Sequence, residues 1–117
     1  MTTSMTTPIT TPMTTQTTTL IVLFNLKDAA RRAEYERWAR EVDLPTAGAL
    51  KSVDQFEVLK ASGLLTGGPS PYEYIEILRI NDMAQLGADV GTPTMQQVAA
   101  QFQAFADNPV FILTQSL

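Results

Sequence analysis

Residues 20–27 (LIVLFNLK) are apolar at both alternating parities, the pattern of a strand covered on two faces rather than one. Behind them Tyr35, Trp38 and Val42 recur at steps of three and four, with Ala39 beside them. They predict a helix over 29–42 with Asp28 as its cap. Glu36–Arg40 and Arg37–Glu41 have helical ion-pair spacing on its outer face, worth about 0.3–0.5 kcal/mol each at most. Leu44-Pro45 should end this helix, because a residue before proline is pushed out of helical geometry, and 45–49 then makes a tight connector. A strand follows over 51–60, a turn-rich loop over 61–71, and the clearest strand of the chain over 72–80 (YEYIEILRI). Asn81 or Asp82 caps a short helix carrying Met83, Leu86 and Val90. Thr92-Pro93 opens another, whose stripe is Met95, Val98, Phe102 and Phe105. Asp107-Asn108-Pro109 stops it, and 110–115 (VFILTQ) is the last strand.

Four strands and two helical regions in this order predict an α+β fold, a ferredoxin-like βαββαβ plait. Right-handed crossovers place both helical regions on one face of the sheet. The other face needs a cover too, since 20–26 and 110–113 are apolar at both parities. A second copy packed sheet to sheet supplies it, so a homodimer forming a dimeric α+β barrel is expected. Residues 1–19 stand apart from the 20–117 domain: they hold eleven threonines and neither Lys, Arg nor an apolar core, so they read as a flexible tail and not a signal peptide.

Composition narrows the chemistry sharply. The chain has no histidine and no cysteine. That removes the thiolate nucleophile, the imidazole base, the haem anchor and the ordinary zinc site. A net charge of −4 argues against nucleic acid as a partner, and the aliphatic run at 20–26 is far too short to span a bilayer. Lack of cysteine fits a cytoplasmic protein. Asp54 and Glu57 have opposite strand parity and do not converge on a metal, and Gly67-Gly68-Pro69 lacks phosphate-loop spacing. No metal or cofactor is expected.

Any reaction therefore runs on carboxylates, phenols, Lys, Arg and backbone groups. Glu76 lies mid-strand between two isoleucines, on the side shared by Tyr72, Tyr74 and Leu78. If both faces are covered, it loses hydration and its pKa rises, which suits a general acid or base. The plainer alternative pairs it with a Lys or Arg on a neighbouring strand, or sets it at the dimer seam. Asp43 sits where the helix dipole disfavours a carboxylate; it either faces the pocket mouth to orient a substrate N–H or caps the Pro45 turn. Tyr35, Trp38, Tyr72 and Tyr74 form either an aromatic-lined cavity, with phenols donating to a developing oxyanion, or ordinary core. Asn25, the one polar residue inside its aliphatic run, lines a cavity or bonds locally.

Tyr35-Glu36-Arg37-Trp38, Glu41-Val42-Asp43-Leu44-Pro45, Leu50-Lys51-Ser52-Val53, Pro71-Tyr72-Glu73-Tyr74-Ile75-Glu76 and the run from Gln101 to Asp107 leading into Pro109-Val110-Phe111 carry a resemblance. Over nearly all of 20–117 the chain resembles the dimeric α+β-barrel superfamily, and within it the RedY-like proteins of prodiginine-type and related indole or pyrrole pathways. The resemblance implies a compact dimer with an apolar small-molecule pocket between sheet and helices. Superfamily mechanisms that need histidine, including the haem branch, do not carry over to this chain.

Together these readings point to a protein that binds a hydrophobic aromatic or N-heteroaromatic intermediate as a small-molecule substrate. A cofactor-independent cyclase or isomerase would use Glu76, Asp43 and Tyr74 as catalytic residues, with Asn25, Tyr35, Trp38, Tyr72 and Phe102 binding substrate. A non-catalytic carrier or pathway chaperone would use the same pocket, and cofactor-free monooxygenation stands third.

Overall fold

The computed structural model describes residues 17–117, so the flexible reading of the tail up to residue 16 lies outside the described residues. Strand β1 (Thr18–Leu26) starts earlier than its aliphatic run suggests. Thr18 and Thr19 belong to the sheet, and the Thr114 hydroxyl donates to the Thr19 carbonyl at 2.8 Å. With β2 (Val53–Lys60), β3 (Tyr74–Ile80) and β4 (Ala106–Gln115), it builds one antiparallel sheet in the order β2-β3-β1-β4. This is the expected ferredoxin-like plait.

The first helix departs from expectation at Pro45. Helix α1 (Arg32–Trp38) runs into a π-helical turn over Ala39–Asp43, and α2 (Leu44–Ala47) continues beyond it. The Leu44 N–H reaches back five residues to the Ala39 carbonyl. Pro45 thereby falls in the first turn of α2, where a missing N–H is tolerated. The wider turn keeps residues four apart in line, so the inward face is Tyr35, Ala39, Asp43 and Ala47, all buried. Trp38 and Val42, placed on the stripe by a uniform helical period, are only half-buried.

Three caps form as expected: Asp28 accepts from the Ala30 N–H at the 3-10 turn (Ala29–Arg31) that opens the first helical segment, Asp82 from the Gln85 N–H before α3 (Met83–Val90), and Thr92 from the Met95 N–H before α4 (Pro93–Phe105). The α4 stripe of Met95, Val98, Phe102 and Phe105 is buried. On α3, by contrast, Met83 and Val90 are exposed and only Leu86 packs against the core. Asp107-Asn108-Pro109 does not separate α4 from the last strand but lies within β4. Asn108 takes a φ of 44°, a left-handed conformation that asparagine tolerates, where the pairing with β1 shifts register between Leu23 and Asn25.

Phe24 sits at the centre of the core, fully buried, with Tyr74 stacked at 5.6 Å and Tyr35 and Phe102 edge-on at 5.7 and 5.0 Å. Such ring pairs add about 0.5–1.5 kcal/mol each beyond their buried area, and they lock α1 and α4 onto one face of the sheet. The opposite face carries two aliphatic rows across the strands. Cross-strand pairing sets Leu59, Ile75, Leu23 and Val110 in one, and Ile77, Ile21 and Ile112 in the next. Leu59, Val110 and Ile112 remain exposed there.

Candidate functional site

Strand β3 turns Tyr74, Glu76, Leu78 and Ile80 toward the helices, and all four are buried. The cross-strand neighbours of Glu76 are Val22 and Val58. Among the described residues no lysine or arginine pairs with it, and it faces the helices rather than the open sheet face. Glu76 is only 6% exposed, and its Oε2 has no hydrogen-bond partner among the described residues. Burial, reinforced by the charge of Asp43, pushes its pKa up to about 8.

Asp43 reaches the same place from the helical side. The π-helical turn rotates it inward, where it is 6% exposed and makes no capping bond, so the expected cap at Pro45 is absent. Burial alone lifts its pKa to about 6. Both carboxyls line a cavity of about 170 Å³ between sheet and helices, among Val22, Phe56, Met95 and Phe102. No Lys or Arg lines it among the described residues. Near neutrality Glu76 holds a proton while Asp43 has largely lost its own. Two carboxyls with separated pKa values can act as acid and base toward one ligand.

The phenols divide between two roles. The Tyr35 hydroxyl is buried without a hydrogen-bond partner, and burial plus the fields of Glu76 and Asp43 raises its pKa far above the usual phenol value. Tyr74 instead donates to the Glu36 carboxylate at 2.6 Å. Burial and that bond raise its pKa to about 12. Glu36 is thus not an outer-face residue. Lys60 lies 2.8 Å from it and Arg40 3.6 Å, and the Lys60 and Tyr74 bonds hold its pKa below the ordinary carboxylate value. These residues, with Tyr35 and Leu44, surround a second hollow of about 130 Å³. No Arg37–Glu41 ion pair forms among the described residues.

The remaining candidates lie elsewhere. Asn25 lines none of the three hollows and bonds across the fold to the segment before β3: its Nδ2 donates to the Pro71 carbonyl at 3.0 Å and its Oδ1 accepts from the Glu73 N–H at 2.8 Å. Tyr72 precedes β3 and lines a third hollow of about 220 Å³, where Arg32 pairs with Glu73. Trp38 lines none of the three hollows; it packs on Phe105 at 5.5 Å and donates Nε1–H to Gln101 Oε1 at 2.8 Å. Phe102 does line the 170 Å³ cavity. Ala47, Met95 and Val98 also line it; helical spacing places the last two inward, but nothing in that spacing separates a cavity wall from plain core. Among the described residues no group of three or more His, Cys, Asp or Glu side chains could hold a metal ion, and no helix is long and apolar enough to cross a membrane.

The sheet order and the single helical layer define a ferredoxin-like α+β protein with a carboxyl-lined cavity beneath the helices. The model of the family described as REDY-like protein HapK matches residues 18–117, and the chain belongs to that family. The crystal structure of HapK from Hahella chejuensis is 30% identical, with a TM-score of 0.70 over 86% of this chain and 92% of that one. A dabb family protein with a ferredoxin-like fold from Mesorhizobium loti is 18% identical at a TM-score of 0.69, covering 87% of this chain and 98% of its own. A dimeric ferredoxin-like protein of unknown function from Thermobifida fusca is 14% identical at 0.68, covering 86% and 92%. No curated protein matches the chain.

Proposed function

We propose that this protein binds a hydrophobic aromatic or N-heteroaromatic intermediate of secondary metabolism in the 170 Å³ cavity and promotes a cofactor-independent, proton-transfer-driven step, a cyclisation or isomerisation. One observation carries the reading: among the described residues Glu76, buried and without a partner for Oε2, shares a largely apolar cavity with Asp43 and with no Lys or Arg. An unneutralised buried carboxyl pair costs stability. A general acid–base catalyst needs one. Glu76 supplies or removes the proton and Asp43 holds its charge state; the Tyr35 hydroxyl, which borders the neighbouring hollow, lies within the field of both. Tyr74, engaged with Glu36, supports the wall.

The test is the product profile of purified protein incubated with extracts of its own pathway, read by mass spectrometry. A new product that disappears with Glu76→Gln is the expected result. Unchanged extracts, with an intermediate retained on the protein, would establish the carrier instead.

The active form is proposed to be a cytoplasmic homodimer. Support comes from the two aliphatic rows on the open sheet face and from a fold shared with a dimeric ferredoxin-like protein. Light scattering should give twice the chain mass, and Ile77→Asp should halve it. A well-folded wild-type monomer at micromolar concentration would defeat the dimer.

A further inference from the structure

The cavity that Glu76 shares with Asp43 carries negative charge, and no Lys or Arg lines it among the described residues. We infer that it takes its ligand as a planar nitrogen cation, an amidinium-like or protonated N-heteroaromatic group whose N–H donates to Glu76 Oε2 while Asp43 supplies the counter-charge. The inference rests on the binding site proposed above and goes beyond it in assigning the ligand's charge.

Glu76 is more than nine-tenths buried, and its free oxygen can accept a hydrogen bond but has no donor among the described residues. Among the described residues the titratable groups coupled to it, Asp43 and Tyr35, come from the first helical segment; Tyr74 on β3 and Glu36 bond to each other and act on Tyr35. The β1, β2, α4 and β4 residues on the cavity wall are apolar apart from Gln103. Arg40 and Lys60 do not balance the charge, because they belong to the neighbouring hollow and pair with Glu36. Near neutrality a carboxylate ligand would set a second negative charge beside that of Asp43. A neutral N–H ligand would satisfy Oε2 but leave Asp43 unbalanced. A cation does both, and its binding sends the proton held on Glu76 to solvent.

Calorimetric titration of the full chain with benzamidinium, benzamide and benzoate compares one shape in three charge states. Benzamidinium should bind tightest and benzoate weakest. Benzamidinium affinity should rise about tenfold or more from about pH 5.5 to about pH 8.5, as Asp43 and then Glu76 lose their protons. Heats that vary with the ionisation enthalpy of the buffer should report the released proton. Glu76→Gln and Asp43→Asn should each flatten the rise while retaining benzamide binding, which shows that the cavity of the variant is intact. Equal binding of benzamide and benzamidinium, or preference for benzoate, overturns the inference and leaves the proposed site standing. Failure of all three probes to bind overturns both.

Discussion

Glu36 and Glu76 are the same residue type, and each is joined to the aromatic core through a tyrosine, by a bond in one case and by electrostatics in the other. Their surroundings make them opposites. Glu36 receives the Tyr74 hydroxyl, Lys60 and Arg40, and its pKa falls. Glu76 receives nothing at Oε2, is flanked by Val22 and Val58, and its pKa rises to about 8. The contrast teaches that a carboxylate near a core is structural when its partners are built in. It becomes available for chemistry when the protein withholds them.

The largest effect expected from breaking this contrast is on turnover. Glu76→Gln should lower it by about 10²–10⁴ while ligand binding persists, if proton transfer is its role. Glu36→Gln, measured in the same assay, should change turnover little. Loss of activity in both variants would mean that the two carboxyls act as one network.

The pH dependence of stability should separate them by sign. Glu76 has a folded pKa raised from 4.5 to about 8, so its contribution is full below 4.5 and is lost as pH rises through about 8. Asp43 adds a smaller loss of the same sign between 3.8 and about 6. Glu36, with a lowered pKa, contributes stability above its ordinary value of 4.5 and loses it as pH falls through the depressed one. Denaturant midpoints across the pH range should show Glu76→Gln flattening the fall in stability between pH 4.5 and about 8, whose slope from this one carboxyl is at most roughly 1.4 kcal/mol per pH unit. Glu36→Gln should flatten the acid limb.

At neutral pH, Glu36→Gln should cost about 1–2 kcal/mol in chemical denaturation, since the Tyr74 hydroxyl loses a charged acceptor. Trp38→Phe should have the smallest effect. It removes one hydrogen bond to Gln101, about 1 kcal/mol, and should leave ligand affinity unchanged because Trp38 lines none of the three hollows. A marked loss of affinity would return Trp38 to the site.

Much of the molecule is legible along the chain, for reasons that are local. A cap needs only its own helix start, so Asp82 and Thr92 can be read directly. Strand parity has period two, so the inward turn of Glu76, Tyr74 and Leu78 follows from position alone. The absence of histidine and cysteine limits the chemistry by composition alone. Tertiary structure decided which groups meet. Pro45 has no N–H for the Glu41 carbonyl, which along the sequence marks a helix end. The backbone instead slips its hydrogen bonds by one residue and continues, which swings Asp43 inward and Val42 aside. Helical spacing alone turns Glu36 toward solvent, because its partners Lys60 and Tyr74 lie on other elements, distant in sequence. Whether a carboxylate is paired or left alone depends on contacts made across the fold. Local pattern carries no record of those contacts, so the unpartnered state of Glu76 arises only where sheet and helices pack together.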